Sequence, residues 1–459
     1  MSEAVSINPV TGHVLKIYQR HSSDRVSEFL KAAKESFEEW RFFSFQQRAV
    51  FIKNAARLLL ENKEVYASLI THEMGKNYSA AIAEIEKSAW VLNYFADNAE
   101  IFLQKEFIKT QALQSYVTFN PLGVILAIMP WNFPFYQVIR FAAPALMAGN
   151  TAILKHASNV QGCAFAIEDL FLSAGIPVGV FTNINVEGNA VASIIENKTI
   201  AAVTLTGSEN AGREVATVAG KNLKKCVMEL GGSDAYIIAD DVNIDKAVHL
   251  CVKARLQNNG QTCIAAKRFI VFENIYDEFV EKFTAAMAKA QMGDPFDANT
   301  DYGPMARFDL RDELHQQVLK SINQGAVLKT GGFVPKMDGA YYPATVLVNS
   351  KPGITVFDEE IFGPVAAVCK AKNEQEAIRL ANNTCYGLGA AIITSNLENA
   401  NHIAANNIDA GSVFVNAMVV SDPRLPFGGI KNSGFGRELS SYGIKEFVNI
   451  KTIWIQEAL

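Results

Sequence analysis

The chain alternates short apolar runs with longer stretches of helical periodicity, and this alternation restricts the available folds more than any other feature. Four runs lie at residues 123–129, 151–154, 180–186 and 201–205, and segment 161–173 between them has helical spacing. Strands that are apolar on both faces are typical of a parallel sheet covered by helices on both sides. The sequence therefore predicts an α/β fold.

Polar residues follow several of these runs, at the point where each predicted strand ends. Asn132 comes after the first run, Lys155 after the second, and Gly207 and Ser208 after the fourth. In open parallel sheets, ligands bind beyond the carboxyl ends of the strands. We therefore expect these residues to lie along one edge of the sheet, beside a ligand.

The rest of the chain predicts a helical start, a second α/β domain and a terminal strand. The first hundred residues have helical spacing, with a capping box at Ser44 and Gln47. Further short runs follow residue 232, at 235–239, 268–272, 364–370, 388–394 and 412–416. The tail, 446–455, is strand-like. Because an exposed edge strand is an aggregation hazard, we expect it to pair with another subunit.

Composition and charge exclude several classes of partner. The 459 residues carry a net charge of −5 and are 49% hydrophobic, so neither a nucleic acid nor an anionic membrane is an expected partner. The longest uncharged stretch, 111–139, contains prolines and cannot form a continuous membrane helix. The first ten residues lack the features of a signal peptide, which predicts a cytoplasmic protein.

One cysteine stands out from the other five. The six cysteines form no CxxC pair or Cys/His pattern, so no metal site is predicted. In a reducing compartment most of them should be buried, inert thiols. Cys263, however, ends the polar, glycine-containing segment 257–263 (QNNGQTC). Such surroundings leave a thiol partly accessible, which favours a nucleophile.

Two further side chains fit the chemistry of a reactive thiol. Glu229 follows two apolar residues, and it is either a solvated carboxylate at a strand end or a base whose pKa is raised in an apolar pocket. Asn132 lies in a loop that prolines make rigid, and it is either a turn residue or an amide donor to an oxyanion. The residues alone leave both choices open.

Five segments in a fixed order carry a resemblance to a known family. They are residues 130–134 (PWNFP), 229–232 (ELGG), 260–263 (GQTC), 360–364 (EIFGP) and 426–431 (PFGGIK). Together they closely resemble the motif set of the aldehyde dehydrogenase superfamily. The likeness runs from about residue 8 to residue 451, which is nearly the whole chain.

The resemblance implies a reaction and an architecture. Cys263 would attack the aldehyde, Asn132 and the Cys263 backbone N–H would hold the oxyanion, and Glu229 would activate the water that hydrolyses the thioester. The implied fold has a Rossmann-like cofactor domain (1–101 and 122–231), an α/β catalytic domain (232–444) and a small β oligomerisation element (102–121 and 445–459). Family members form homodimers or homotetramers.

The resemblance also implies which residues bind the dinucleotide. Lys155 would bond the adenosine ribose, and Gly207 and Ser208 would receive the pyrophosphate on N–H groups that open a helix. The residues around the nicotinamide and its ribose would be Trp131, Leu230, Glu360 and Phe362. Taken alone, the segment around Gly207 is an ordinary helix cap, because it is not a GxGxxG fingerprint.

The choice between NAD and NADP is predicted from one position. Members strict for NAD often carry a carboxylate three residues after the matching lysine, which repels a 2′-phosphate. Here Ser158 stands at that position. A neutral hydroxyl removes the repulsion, so NADP⁺ is expected to be accepted, alone or alongside NAD⁺. His156 replaces the proline usual in the family, with no evident consequence in the sequence.

Three residues bear on the substrate. Arg140 lies eight positions after Asn132, near the same face if a helix begins there, and it would bind a carboxylate at the far end of the substrate. The alternative is a surface arginine. Succinate-semialdehyde dehydrogenases have an arginine at the matching position, and the chain resembles the shorter bacterial members of that branch. Gln257 stands where many members of that branch have a second arginine, and Arg424 is a candidate substitute.

Several alternatives stay open at this point. One alternative is oxidation of another small aliphatic or aromatic aldehyde. A second is transfer of the acyl group to coenzyme A, although relatives that use coenzyme A generally lack the base at Glu229. A cysteine hydrolase would need a histidine base, and the seven histidines sit in no motif that suggests one. A non-catalytic role would not require Cys263, Glu229 and Asn132 together.

Overall fold

The computed structural model describes residues 3–458, so residues 1, 2 and 459 of the predicted domains lie outside the described part. The first hundred residues begin with a hairpin, which was not predicted, and continue as the predicted helices. The elements are β1 (Glu3–Ile7), β2 (Val14–Gln19), α1 (Ser23–Trp40), α2 (Phe45–Glu61), α3 (Lys63–Met74) and α4 (Tyr78–Phe102). The capping box is confirmed, because the Ser44 hydroxyl accepts from Gln47 N and the Gln47 side chain accepts from Ser44 N.

The middle of the chain alternates strands and helices. Its elements are β3 (Glu106–Phe107), β4 (Gln114–Pro121), β5 (Val124–Met129), α5 (Tyr136–Met147), β6 (Thr151–His156), α6 (Gln161–Ser173), β7 (Phe181–Asn183), α7 (Val191–Glu196), β8 (Ile200–Thr206), α8 (Glu209–Lys221) and β9 (Lys225–Glu229). The four apolar runs of the sequence all form strands here. They are buried almost throughout, as strands covered on both faces must be.

The last part of the chain repeats this pattern. Its elements are β10 (Ala235–Ile238), α9 (Ile244–Leu256), β11 (Arg268–Phe272), α10 (Tyr276–Lys289), α11 (Phe308–Asn323), β12 (Val327–Thr330), β13 (Thr345–Val348), α12 (Thr355–Asp358), β14 (Val365–Ala371), α13 (Glu374–Asn382), β15 (Gly389–Ile393), α14 (Leu397–Asn406), β16 (Ser412–Val415), β17 (Gly434–Phe435), α15 (Ser440–Gly443) and β18 (Val448–Ile455).

Two large sheets and two small ones result. The six-stranded sheet has the order β17-β9-β8-β5-β6-β7, and the seven-stranded sheet has the order β12-β13-β14-β11-β10-β15-β16. Each is parallel except for one edge strand, β17 or β12. The predicted α/β fold is therefore confirmed. Among residues 3–458, no helix is long and apolar enough to cross a membrane.

The terminal strand corrects one prediction. β18 pairs antiparallel with β4 of the same chain over its full length, from Val448 opposite Pro121 to Ile455 opposite Gln114. We expected a partner from another subunit, but the same chain supplies the first one. In the order β18-β4-β3, the other edge of β18 has no partner within the described residues. That edge is where pairing with a second subunit stays a prediction.

Candidate active site

The carboxyl ends of four neighbouring strands form one edge of the six-stranded sheet. Ile128 of β5 lies opposite Lys155 of β6, and Thr206 at the end of β8 lies opposite Glu229 at the end of β9. Asn132 follows β5 by three residues. The predicted grouping of these polar residues along one edge is confirmed.

Cys263 reaches this edge from the other large sheet. It follows a turn between α9 and β11 in which Asn258, Asn259 and Gly260 all have positive φ angles. The Asn259 amide fixes the turn by donating to the carbonyls of Gly75 and Pro304, both at 2.9 Å. A side chain at Gly260 would collide with the backbone of Gly363. Tertiary contacts therefore hold the strained backbone that presents the thiol.

The Cys263 side chain is half-buried and borders two cavities. The first has a volume of about 260 Å³ and is lined by most of the predicted cofactor residues. They are Trp131, Gly207, Ser208, Leu230, Glu360 and Phe362. The Trp131 and Phe362 rings meet edge to face, with centroids 5.8 Å apart. The structure thus brings together residues that are distant in sequence.

Two predicted cofactor residues, Lys155 and Ser158, are not part of the lining of this cavity. Lys155 is half-buried at the end of β6, and Ser158 is exposed at the start of a 3-10 turn, Ser158–Val160. Ser208, in contrast, is the N-cap of α8, where its hydroxyl accepts from Ala211 N at 3.4 Å. The free N–H groups of the first turn of α8 therefore face an anion-binding position.

The Glu360 carboxylate lines the first cavity and is held there by two neighbours. It accepts from Gly232 N at 3.0 Å and lies 3.7 Å from the Lys267 ammonium. Burial nevertheless raises the pKa of Glu360, against the attraction of Lys267. A Cβ at Gly231 would displace the Glu360 carboxylate from this position. The ELGG and EIFGP segments thus contact each other directly, through the hydrogen bond between Gly232 and Glu360.

The second cavity, of about 200 Å³, lies on the other side of Cys263 and contains Arg140 and Gln257. Arg140 is 2% exposed and forms an ion pair with the buried Glu438, a partner that the sequence did not indicate. The Oε1 atom of Gln257 is buried without a hydrogen-bond partner. Both residues therefore lie where a substrate would be expected.

The prediction for Arg424 needs correction. Its side chain is 66% exposed and forms an ion pair with Asp422 at 2.6 Å. It does not line the second cavity, which is called the substrate-side cavity below. The exposed ion pair holds the guanidinium at the surface, so Arg424 does not replace the arginine that is missing at Gln257.

The thiol and the carboxyl of the site are both shifted towards their neutral forms. Burial raises the pKa of Cys263 to about 12, although Lys267 and Arg140 act in the opposite direction. Glu229 is 2% exposed, and neither of its carboxylate oxygens has a hydrogen-bond partner. Burial, together with the nearby Glu438, raises its pKa well above the usual value. Of its two proposed environments, the structure therefore excludes the solvated one and shows a buried carboxyl with charged side chains nearby.

Several side chains that the sequence did not single out hold the loop around Asn132. Its backbone carbonyl accepts from Lys76 Nζ at 2.9 Å and from Asn258 Nδ2 at 2.8 Å. Glu84 accepts from the N–H groups that open α5, and His156 Nε2 lies 2.9 Å from the Pro134 carbonyl oxygen. The loop is therefore rigid because of tertiary bonds as well as prolines.

The Asn132 side chain itself points towards the thiol segment. Its Nδ2 donates to the Gln261 carbonyl at 3.0 Å, two residues before Cys263. The second hydrogen on Nδ2 stays available for an oxygen bound beside the sulfur. None of the described residues that line either cavity is a histidine, so a cysteine hydrolase would lack its base.

Comparisons with known proteins agree with this geometry. Residues 2–453 match the Aldehyde dehydrogenase family. A probable NADP(+) succinate-semialdehyde dehydrogenase from Synechocystis sp. is 47% identical over 450 residues, covering 98% of this chain and 99% of that protein. The NAD(P)+ succinate semialdehyde dehydrogenase Sad of Escherichia coli is 47% identical over 455 residues, covering 99% and 98%.

A solved structure extends the likeness to three dimensions. The succinic semialdehyde dehydrogenase of Streptococcus pyogenes, in complex with NADP+, is 38% identical, with a TM-score of 0.97. The alignment covers 99% of this chain and 100% of that one. The motifs, the cavities on both sides of Cys263 and these relatives lead to one conclusion: the chain belongs to the aldehyde dehydrogenase family.

Proposed function

We propose that this protein oxidises succinate semialdehyde to succinate with NADP⁺ or NAD⁺, through a thioester on Cys263. The observation that carries the proposal is the position of the sulfur between two cavities, one lined by residues predicted to bind a dinucleotide and one by cationic side chains. The names of the relatives from Synechocystis, Escherichia coli and Streptococcus pyogenes support the substrate.

The residues of the first cavity fit a dinucleotide. The Thr206 hydroxyl is buried there without a hydrogen-bond partner, beside the N-terminus of α8 that would receive the pyrophosphate. Glu360 would bond the nicotinamide ribose, and Lys155 the adenosine ribose. The dinucleotide, when bound, supplies the acceptor for the hydride that leaves the substrate carbon.

The chain's own residues do the remaining chemistry. Attack by Cys263 requires loss of the thiol proton and gives a thiohemiacetal, whose oxyanion Asn132 Nδ2 and the Cys263 N–H would stabilise. After oxidation to the thioester, Glu229 takes a proton from the attacking water. The carbon–sulfur bond then breaks, and the carboxylate leaves.

Steady-state kinetics test the substrate. We expect kcat/KM to be at least about tenfold higher for succinate semialdehyde than for butanal, since one charge-assisted hydrogen bond contributes about this much. Equal values would contradict the proposed substrate and favour another aldehyde. The product should be free succinate, and formation of succinyl-coenzyme A on adding coenzyme A would instead support the acyl-transfer alternative.

The cofactor preference is tested at Ser158. A Ser158→Glu variant should lower kcat/KM for NADP⁺ relative to NAD⁺ by at least about tenfold, because the new carboxylate repels a 2′-phosphate. Ser158→Gln has a side chain of the same size without the charge and should keep the wild-type ratio. If both variants keep that ratio, Ser158 does not face the phosphate.

The remaining assignments are proposals as well. We propose that the segments 1–101 with 122–231, 232–444, and 102–121 with 445–459 act as cofactor, catalytic and oligomerisation units of a homodimer or homotetramer. All six cysteines are free thiols, which supports a reducing, cytoplasmic location.

A further inference from the structure

The substrate-side cavity contains three cationic side chains, and two of them are already neutralised. Lys76 forms a buried ion pair with Glu84, and Arg140 forms one with Glu438. Buried charges need such partners, because an unpaired ion away from water is very costly. Each of these two cations therefore has a carboxylate of its own before any substrate binds.

Lys87 is the third cation, and its charge is not matched in this way. Within residues 3–458, no carboxylate oxygen lies within 4.0 Å of its ammonium group. Asp422, a nearby acid that raises the pKa of Lys87, accepts two hydrogen bonds from the Arg424 guanidinium at the surface. A half-buried ammonium on the wall of a substrate cavity is thus left without a counter-charge.

The hydrogen bonds of Lys87 also leave room for a ligand. Its Nζ donates to the Ser421 hydroxyl at 3.0 Å and lies 4.6 Å from the centre of the Tyr136 ring. The Tyr136 hydroxyl lies 2.8 Å from the same Ser421 oxygen. An ammonium has three hydrogens, so two of them stay available for an anion. Ser421 lines the same cavity and orients the group.

Electrostatics favour an anion at this place. Burial and the neighbouring Arg140 lower the pKa of Lys87 to about 8, while Asp422 and Glu84 act weakly in the other direction. The group is therefore mostly protonated at neutral pH but poorly compensated. A carboxylate next to it would supply the missing charge and raise the pKa again.

We propose that Lys87, oriented by Ser421, binds the carboxylate at the far end of the aldehyde, beside Arg140, whose charge is already balanced by Glu438. This rests on the proposed function, since it names the group that recognises the charged end of succinate semialdehyde. It adds Lys87 to the expectation that Arg140 binds that carboxylate, and Nη2 of Arg140 is itself buried without a hydrogen-bond partner among the described residues. Lys87 and Cys263 line the same cavity, so a substrate whose carboxylate lies at Lys87 shares that cavity with the sulfur.

Matched variants test the assignment. Lys87→Met removes the charge and keeps an unbranched side chain, Lys87→Arg keeps the charge, and Lys53→Met makes the same change at a lysine that pairs with Asp97 on the surface. In Lys87→Met, the ratio of kcat/KM for succinate semialdehyde to that for butanal should fall by about 10- to 100-fold, mainly through KM. Lys87→Arg should recover most of the ratio, and Lys53→Met should keep it.

A second readout separates this proposal from the proposed substrate. Succinate should inhibit butanal oxidation competitively, and its inhibition constant should rise by a similar factor in Lys87→Met. If wild-type enzyme does not prefer succinate semialdehyde but this constant still rises, the substrate is wrong and the role of Lys87 stands. If wild type prefers the charged aldehyde and neither the ratio nor the constant changes in Lys87→Met, the role of Lys87 is overturned.

Discussion

Burial changes the protonation of Glu229, the residue proposed as the base that activates water. It sits at the end of β9 with both carboxylate oxygens free of hydrogen bonds, and its Oε1 lies against Gly428, where a Cβ would come within 2.6 Å. Burial and Glu438 raise its pKa, while Arg140 and Arg437 oppose the change. The carboxyl is therefore protonated at pH values where an exposed glutamate, with a pKa near ~4.3, is ionised.

The pH dependence of turnover follows from this shift. Only the ionised carboxylate takes a proton from water, so kcat should fall as the pH drops through the raised pKa of Glu229, well above ~4.3. In Glu229→Gln, kcat should be lower by about 10²- to 10⁴-fold, and this acidic fall should disappear. The pH profile of kcat checks the claim. An unchanged acidic limb in the variant would assign the titration to another group.

Single residues were predictable where a motif fixed them, and unpredictable where a partner did. Cys263, Glu229 and Asn132 each lie in a short, recognisable segment. The proposed role of Lys87 depends on its hydrogen bond to Ser421, which is 334 positions away in sequence. Glu438 likewise matters because it faces Arg140 across the fold. No local pattern encodes such contacts, so the charge balance of the substrate cavity could not be predicted.

At the scale of elements, the end of β6 supports the loop between β5 and α5. The buried His156 places Nε2 2.9 Å from the Pro134 carbonyl oxygen, while its Nδ1 accepts from Ala157 N at 2.9 Å. This arrangement fits the neutral ring that carries its proton on Nε2. Burial lowers the pKa of His156 to about 4. The histidine that replaces the usual proline thus fixes the loop that carries Asn132.

Stability should depend on pH through this histidine. Between pH 4 and about 6.5 the unfolded chain binds a proton at His156 that the folded protein does not, so stability is lost as the pH falls, by up to about 3 kcal/mol. His156→Gln keeps an N–H donor but does not titrate. Its urea midpoint should therefore fall less than that of wild type between pH 7 and pH 4.5. Equal falls would show that His156 is not the titrating group.

Burial made many of the strands predictable. Strands such as β5 and β8 are apolar because helices cover both faces, and the sequence indicated each of them. The hairpin strand β2 and the edge strand β12 are mostly exposed and each contains a lysine, and neither was predicted. The buried β13 was also missed, because its apolar run is only three residues long and a run that short shows no clear period.

At the scale of the whole molecule, the outer edge of β18 marks an expected interface. Ile450 is 62% exposed on this strand, and Trp454 and Ile455 are also exposed. A long edge strand with exposed large apolar side chains is a template for pairing with another chain. The sequence suggested this surface, although it did not indicate that β4 of the same chain covers the first edge.

Oligomer size tests this interface. Ile450→Lys places a charge on the free edge and should shift the protein towards smaller species in sedimentation velocity experiments. Val178→Lys changes an apolar residue that is 77% exposed on a loop elsewhere, and it should leave the assembly unchanged. If Ile450→Lys sediments like wild type, the assembly uses another surface.

In the whole molecule, elements of the two large sheets meet at the Cys263 sulfur. Cys263 lies in the segment before β11, and residues at the ends of β5, β8 and β9 line the cavity beside it. The most direct test is the intact mass of Glu229→Gln after mixing with succinate semialdehyde and NADP⁺, because this variant should form the thioester and hydrolyse it slowly. The account predicts one added succinyl group, which is absent when Cys263 is also changed to alanine. Reduced cofactor without any adduct, or an adduct that persists without Cys263, would contradict it.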